Sequence, residues 1–239
     1  MKNIKPNPVS SDAKVPNVHS QAEKHERLRR EDWITAARQA LIKEGITGVS
    51  LRKLATSLGA TTGAFYWQYK RLEDLLEDVR EDWLHRNTAH ITKAIEEAGP
   101  DGWQMYLSYT RALILENGID ARYDNAIREW AHSSKRTAEI LRSVEEFRIN
   151  QLKGMFEAMG FKDKAALIRA RVMYFHQTGY YAMQIVESVE ERLENVPFYA
   201  EVLTDRLDLL GLKDISEVRS YLEKETEPNC TYVRADPNI

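Results

Sequence analysis

The chain has 239 residues, of which 43% are hydrophobic and 30% charged, and its formal net charge is −3. This balance is typical of a soluble globular protein with one or two domains and a sizeable core. It excludes a membrane-spanning protein, because no apolar run approaches the ~18 residues that a span requires. The N-terminus lacks the hydrophobic segment of a secretory signal, and the single cysteine, Cys230, cannot form a disulfide within one chain. We therefore expect a cytoplasmic protein.

The charge is distributed unevenly along the sequence. Residues 1–71 contain 13 Lys/Arg and 6 Asp/Glu, a net of +7, whereas residues 72–239 contain 21 and 31, a net of −10. A basic first segment is what a phosphate-facing surface requires, and an acidic remainder would be repelled from nucleic acid. Taken alone, the same asymmetry could arise by chance.

Residues 1–22 are expected to form a disordered arm, because they contain three of the seven prolines and almost no apolar periodicity. Lysines in this arm could lie along DNA, although an unstructured terminus without that role is the more ordinary interpretation. A first core helix is predicted over residues 31–44, with Ile34, Ala37 and Leu41 on one face and Gly45 at its end.

The stretch from Ser50 to Tyr69 reads SLRKLATSLGATTGAFYWQY and predicts two short helices joined by a tight turn. Ser50 and Thr61 each offer a side-chain oxygen where a helix would begin, as an N-cap requires. Gly59 lies between them and can adopt the left-handed conformation that ends a helix. The pattern is that of a helix-turn-helix in which residues 61–69 form the second, recognition helix.

At these residues the sequence resembles the DNA-binding domain of the TetR family of bacterial transcriptional regulators. The resemblance runs from Glu31 to Asp78, about a fifth of the chain, and rests on Arg-Lys-Leu-Ala at 52–55, Leu-Gly at 58–59 and Tyr-Trp at 66–67. Family members usually carry a lysine where this chain has Leu72. The neighbouring Lys70 and Arg71 could meet that phosphate instead.

The resemblance implies that this region contacts double-stranded DNA. Arg52 matches a position from which family members reach a base; it could bind guanine bidentately or contact only phosphate. Gln68 could pair with adenine, whereas Tyr66 is better suited to donating its hydroxyl to a phosphate. The predicted DNA-binding residues are Ser50, Arg52, Thr61, Thr62, Gly63, Tyr66, Trp67, Gln68, Lys70 and Arg71.

The rest of the chain predicts helices throughout, so the expected fold class is all-α. A long helix from residue 72 to about residue 98 should join the three-helix head to a C-terminal bundle, with the apolar segment 102–116 at the centre of that bundle. Further helices are predicted over 120–132, 134–159, 163–188, from Pro197 to Gly211, and over 215–224. The expected domains are an arm at 1–22, the DNA-binding head at 23–71, a ligand-binding and dimerisation domain at 72–225 and a flexible tail at 226–239.

A regulator of this family would take its effector in the body, where a pocket needs mostly apolar walls and a few polar groups. Aromatic and histidine side chains cluster on the predicted helices there. Each is more often plain core than pocket wall, but together they favour an amphipathic ring-bearing or acyl ligand. The predicted ligand-binding residues are Trp103, Tyr106, Tyr109, Trp130, His132, Phe147, Tyr174 and His176.

The last two long helices have apolar faces wider than one bundle contact needs. We therefore predict a homodimer in which helices 163–188 and 198–210 pair with their copies. Two recognition helices would then lie about 34 Å apart and read a palindromic operator. A monomer with a tightly folded body is the alternative.

Enzyme chemistry is not indicated. The histidines do not follow metal-ligand spacing, and the sequence has no H-E-x-x-H, C-x-x-C, G-x-S-x-G or phosphate-binding glycine loop. We predict no enzyme activity, no metal and no cofactor. The expected function is transcriptional regulation, as a repressor released from its operator by a small-molecule effector. The alternative is a DNA-binding adaptor that answers to a protein partner and has a solid, pocketless body.

Overall fold

The computed structural model describes residues 28–116 and 120–224, and over these residues it is helical with no strand. The expected all-α fold class is therefore confirmed. The predicted arm at 1–22 and tail at 226–239 lie outside the described residues. The helices are α1 (Arg30–Glu44), α2 (Leu51–Ser57), α3 (Thr62–Phe65), α4 (Leu72–Glu97), α5 (Gly102–Ile114), α6 (Ala121–Ser133), α7 (Lys135–Ala158), α8 (Asp163–Ala182), α9 (Val189–Thr204) and α10 (Ile215–Glu223), with short 3-10 turns at Ile46–Gly48 and Asp208–Gly211.

The head, residues 28–71, is built on the capping groups that the sequence offers. The Ser50 hydroxyl accepts a hydrogen bond from the Lys53 backbone nitrogen, and the Thr61 hydroxyl accepts one from Ala64. Gly59 has φ +62°, a left-handed conformation that glycine adopts without a Cβ penalty. The two N-caps and the glycine turn are therefore confirmed.

Helix α3 is shorter than the predicted 61–69 helix. It has four residues and ends at Phe65, and the chain then continues in turns to Tyr69. Tyr69 is nevertheless buried, because its ring stacks on Phe65 at 5.3 Å between centroids and its hydroxyl donates to Asp78 at 2.7 Å. Phe65 and Tyr69 are therefore both buried, although their stacked rings stabilise a non-helical turn and α3 does not continue to Tyr69.

Helix α4 carries the head and joins it to the body. Arg30 at the start of α1 makes a bidentate contact with Asp78, at 2.7 and 2.9 Å, and Arg38 reaches Asp82 at 2.9 Å. The contacts fix α1 along the first half of α4. No flexible linker separates α4 from the head, since α4 begins at Leu72.

The head also shares a hydrophobic core with α6. Tyr123, Ile127 and Trp130 of α6 belong to the same buried cluster as Trp33 and Phe65 of the head. Helix α6 therefore contacts both the head and the bundle, and a movement of α6 would change the packing of both.

The body is organised around α5, as its apolar sequence predicts. Nine of the thirteen α5 residues are buried, and α5 packs on α4 and α7. At its first residue, Gly102, an added Cβ would lie 2.5 Å from the Met155 carbonyl oxygen and 2.5 Å from the Met159 nitrogen. Glycine is therefore required where the start of α5 crosses the end of α7.

The boundaries around α8 and α9 differ from the sequence prediction. Helix α8 ends at Ala182 rather than residue 188, and α9 begins at Val189 rather than at Pro197. The side chains of Ser188 and Glu191 form a capping box that starts α9 one turn after α8 ends. Pro197 lies inside α9, where it removes one backbone donor but does not end the helix.

Candidate nucleic-acid interface and ligand cavity

The outer face of α3, defined by Thr62, Gly63, Tyr66 and Trp67, is fully exposed to solvent. Trp67 has 84% of its surface exposed and Tyr66 has 61%. Two adjacent aromatic side chains on an open surface typically mark a contact site. Their neighbours Ala64 and Phe65 are buried, so this segment has an inward and an outward face.

Basic side chains flank this face. Arg52 and Lys70 are exposed and make no ion pair with any described residue. Arg71 pairs with Asp74 at 3.0 Å, and Lys53 with Glu44 at 2.6 Å. Free cations beside exposed aromatic and hydroxyl groups form a surface that can meet a phosphodiester backbone.

Gln68 lies apart from the other predicted DNA-binding residues. It is partly buried, and its side-chain nitrogen donates a hydrogen bond to the Leu28 carbonyl oxygen at 2.9 Å. Contact with adenine would require this bond to break. Gln68 therefore supports the start of α1 in this structure, while the adenine contact stays a prediction.

The body contains a cavity of about 160 Å³ between α5, α8 and α9, which we call the larger cavity. Three of the predicted ligand-binding residues line it: Tyr106 and Tyr109 on α5 and His176 on α8. Its other walls are largely apolar. They include Leu113, Ile114, Val172, Met173, Val196, Val202 and Leu203.

A smaller cavity of about 20 Å³ lies beside it, between α4, α5, α7 and α8. Tyr174 lines the smaller cavity, and Tyr109 and Gln177 border both. The structure thus brings Tyr106, Tyr109, Tyr174 and His176 together around two adjacent cavities.

The remaining four predicted ligand residues line neither cavity. Trp103 stacks on Tyr106 at 5.3 Å and belongs to the packed core, and Trp130 lies in the core shared with the head, beneath the Arg80 guanidinium. His132 is exposed, and Phe147 is exposed on α7. Helical spacing identifies a position as inward-facing but does not show which element it faces. The remaining ligand candidates are Tyr106, Tyr109, Tyr174 and His176.

Sequence reasoning missed several polar residues of the larger cavity. Gln177 and Tyr180 follow His176 on α8 at spacings of one and four residues, and Tyr199 stands on α9. The spacing from Met173 through Gln177 to Tyr180 is helical and could have indicated one wall of the cavity. The opposite wall is formed by α9, whose start was predicted at the wrong residue. The polar lining is completed by Thr110, Glu187, Arg192 and Asn195.

Hydrogen bonds order the outer wall of the larger cavity. The Tyr199 hydroxyl and His176 Nε2 are 2.9 Å apart, and partial burial lowers the pKa of His176 below its usual range, which favours the neutral ring. The Tyr180 hydroxyl donates to Glu187 at 2.9 Å, and burial, with help from that carboxylate, raises the pKa of Tyr180 to about 12. Both groups are therefore uncharged near neutral pH.

The described residues form neither a metal site nor a membrane-spanning helix. In residues 28–116 and 120–224, no three His, Cys, Asp or Glu side chains are placed to hold a metal ion. No helix in those ranges combines the length and the apolar character needed to cross a bilayer.

Residues 34–79 match the family model of bacterial regulatory proteins of the tetR family. Over 93 residues the chain is 37% identical to the class D tetracycline repressor protein of Escherichia coli and 37% identical to the class H protein of Photobacterium damsela subsp. piscicida. Each match covers 37% of this chain and 41% of the relative, so the chain matches about two fifths of the length of these curated relatives.

Solved structures share the fold over a longer stretch. A transcriptional regulator from Pseudomonas aeruginosa PAO1 has a TM-score of 0.60 at 15% identity, covering 77% of this chain and 96% of that one. A TetR transcriptional regulator from Legionella pneumophila has a TM-score of 0.53 at 16% identity, covering 82% and 98%. The TetR-family resemblance of the head is therefore confirmed by sequence, and the solved structures show that the fold is shared over most of the chain.

Proposed function

We propose that this protein is a transcriptional regulator that binds double-stranded DNA through the outer face of α3. The main support for the proposal is that this face lies within the residues that match the family model. The exposed Tyr66 and Trp67 and the unpaired Arg52 all fall within residues 34–79. The head, residues 28–71, contains eight Lys/Arg and three Asp/Glu, and this net charge of +5 gives it a sequence-independent attraction to phosphate.

Within this interface the residues have different roles. Arg52 is exposed and free to reach a guanine edge. Ser50, Thr61, Tyr66, Lys70 and Arg71 are suited to phosphate, and Trp67 packs against the sugar-phosphate backbone. Thr62 and Gly63, at the first turn of α3, are the candidates for close approach to base edges.

The chain acts as a two-fold dimer. On the outer sides of α8 and α9, Ile168, Val172 and Phe175 and then Phe198 and Val202 are exposed apolar residues. Such a continuous apolar face is unusual on a monomer, and a second copy would bury it in a four-helix interface. A dimer places two α3 helices on one side of a palindromic operator. Val172, Tyr199 and Val202 also edge the larger cavity, so the partner would help to close it.

The larger cavity receives a small-molecule effector. The relatives with 37% identity are named tetracycline repressor proteins, and by analogy we infer repression relieved by a ligand, in the cytoplasm. A cavity with apolar walls and a few ordered polar groups favours this function over control by a protein partner, which would not need interior space.

The effector signal would travel through α6. This helix shares a core with the head, and Asn125 at its N-terminal end donates to the Tyr181 carbonyl oxygen of α8 at 2.9 Å. Ligand and operator then oppose each other with a reciprocal coupling of typically ~1–3 kcal/mol. No enzymatic step is part of this function.

The proposal is tested by incubating the purified protein with a pool of random duplexes and sequencing the retained DNA. A palindromic consensus is expected. Retention without a consensus would mean that the head supplies only salt-dependent, non-specific affinity, and the proposed reading by Arg52 would be wrong.

A further inference from the structure

The smaller cavity is bordered by a buried cation without a counter-ion. Arg148 on α7 is only 8% exposed, and its guanidinium donates to the Asn87 carbonyl oxygen. In the described part of the chain no carboxylate lies within ion-pair distance of Arg148. Burying a charge in this way is costly unless an anion joins it.

Three more donors face the same space. The Gln177 side-chain nitrogen is buried and has no hydrogen-bond partner among the described residues, and Tyr109 lines the same space. The Tyr174 hydroxyl accepts from Arg128 at 2.9 Å, which leaves its own proton free to be donated. Burial raises the pKa of Tyr109, so its hydroxyl is a donor at neutral pH. Several donors thus gather around this space, and the side-chain oxygen of Asn87, which contacts Arg148 and Asp124, is a buried acceptor without a partner among the described residues.

The nearby acids do not supply the missing acceptor. Asp124 borders the smaller cavity, but its two oxygens accept from Asn87 at 2.6 Å and from Arg128 at 2.8 Å. Glu145 is bound to Arg128. Two acids and two arginines make the cluster neutral as a whole. The acids, however, accept their hydrogen bonds from Arg128 and Asn87, and Arg148 has no ion pair with either of them.

The cluster adjoins the larger cavity, because Tyr109 and Gln177 belong to both walls. The larger cavity, at about 160 Å³, is close in size to a cavity of ~150 Å³ that holds a benzene ring in another protein. Its walls near Tyr109 are apolar, with Leu113 and Val196 among them. The space therefore suits a compact apolar body with one anionic end.

We propose that the effector is a small apolar monocarboxylate. A ring or short alkyl chain occupies the larger cavity, and the carboxylate accepts hydrogen bonds from Arg148, Tyr109 and Gln177. This inference rests on the proposed function, since it names the chemical class of the effector for that same site.

The test measures binding to the full-length protein by calorimetry, without DNA. The probes are benzoate, phenylacetate and hexanoate, each compared with its own amide, which has the same shape but no charge. The acids are expected to bind at least about tenfold more tightly than their amides, because a charge-assisted hydrogen bond is stronger than a neutral one.

Three variants locate the binding. Arg148→Met should remove the preference for acid over amide. Tyr109→Phe, which deletes one oxygen and keeps the ring, should weaken acid binding by about tenfold and tests the site even if Arg148→Met does not fold. Arg142→Met, at an exposed position of the same helix, is the matched control and should bind as the wild type does.

Equal affinity for acids and amides, no binding of any acid probe, or unchanged acid affinity in Tyr109→Phe would each overturn the proposal. These results are independent of the random-duplex selection. A protein that selects a palindrome but ignores the acids would refute only the effector class, whereas one that binds the acids but selects no site would refute the regulatory function.

Discussion

Tyr123 donates a hydrogen bond from its hydroxyl to the Val79 carbonyl oxygen at 2.7 Å, inside the core that α6 and α4 share with the head. Burial raises the pKa of Tyr123, so the hydroxyl keeps its proton at neutral pH. The bond fixes α6 against α4, the helix that joins the head to the body. It provides a specific mechanical connection between the body and the head.

Replacing Tyr123 by phenylalanine removes this connection and keeps the ring. We expect the free energy of unfolding to fall by about 1 kcal/mol, the usual contribution of one buried hydrogen bond. Urea unfolding followed by circular dichroism measures the change. Tyr66→Phe, at an exposed position, should unfold as the wild type does; an equal loss in both variants would contradict the role given to the Tyr123 bond.

Two glycines in helices should respond to alanine in opposite directions. Gly102→Ala would place a Cβ against the backbone of α7, and overpacking of this kind costs about 1–3 kcal/mol. Gly154→Ala meets nothing within 4 Å and should stabilise α7 by about 0.5–1 kcal/mol through reduced chain entropy. The midpoints of thermal unfolding, measured side by side, give the sign of each effect. A tolerated Gly102→Ala would mean that α5 and α7 are not in close contact.

The ion pairs of Glu77 should make the free energy of unfolding depend on pH. Its carboxylate accepts from Arg136 at 2.6 Å and from Arg80 at 2.7 Å, and these bonds lower the pKa of Glu77 in the folded protein. A lowered folded-state pKa means that the stabilisation is present above the unfolded-state pKa and is lost as the pH falls through the folded-state value.

We therefore expect Glu77→Gln to be less stable than the wild type at neutral pH, with a difference that shrinks towards about pH 3. Urea unfolding across the pH series measures it, with the exposed Glu81→Gln as the control that shows no difference. A gap that stays constant or widens in acid would contradict the ion pairing of Glu77.

We expect Arg52 to contribute sequence-specific affinity for DNA and Lys70 to contribute affinity that does not depend on sequence. Arg52→Ala should cost about 1–3 kcal/mol at the selected operator and relax the preference at one base pair, as expected for a guanine contact. Lys70→Ala should weaken all duplexes alike and reduce the salt dependence by about one ion, as expected for a phosphate contact. Fluorescence anisotropy over a salt series distinguishes them. Uniform weakening by Arg52→Ala would assign Arg52 to phosphate instead.

A charge on the apolar face of α9 should separate the dimer. Phe198 is 60% exposed in the single chain, and Phe198→Asp would bury an unpaired carboxylate in the proposed interface. We expect a monomer in analytical ultracentrifugation, with operator affinity reduced by at least about tenfold since only one head can bind. Leu84→Asp changes a 39% exposed apolar residue on α4 and should remain dimeric. A dimeric Phe198→Asp would place the interface elsewhere.

The local signals in the sequence predicted the head well. Ser50, Thr61 and Gly59 act through neighbours three or fewer residues away, so their roles could be inferred from the sequence alone. Pro197 misled the prediction, because the capping box of Ser188 and Glu191 starts α9 earlier and packing of the surrounding residues retains the proline inside the helix.

Contacts between distant elements were harder to predict. Trp130 and Tyr109 both fall on apolar helical faces, but one packs against the head and the other lines a cavity. Periodicity shows that a side chain is turned inward and does not show which helix it meets. The same limit applies to Arg148, whose isolation from carboxylates depends on residues far away in the sequence.

The most direct measurement of the central claim is the affinity of the protein for its selected operator when the spacing of the two half-sites is changed. Inserting about five base pairs, half a turn of DNA, rotates one half-site to the opposite side of the duplex. A rigid two-fold dimer that reads with two α3 helices should lose nearly all specific affinity, and about ten inserted base pairs should restore only part of it. Undiminished binding after the half-turn insertion would contradict a dimeric operator reader.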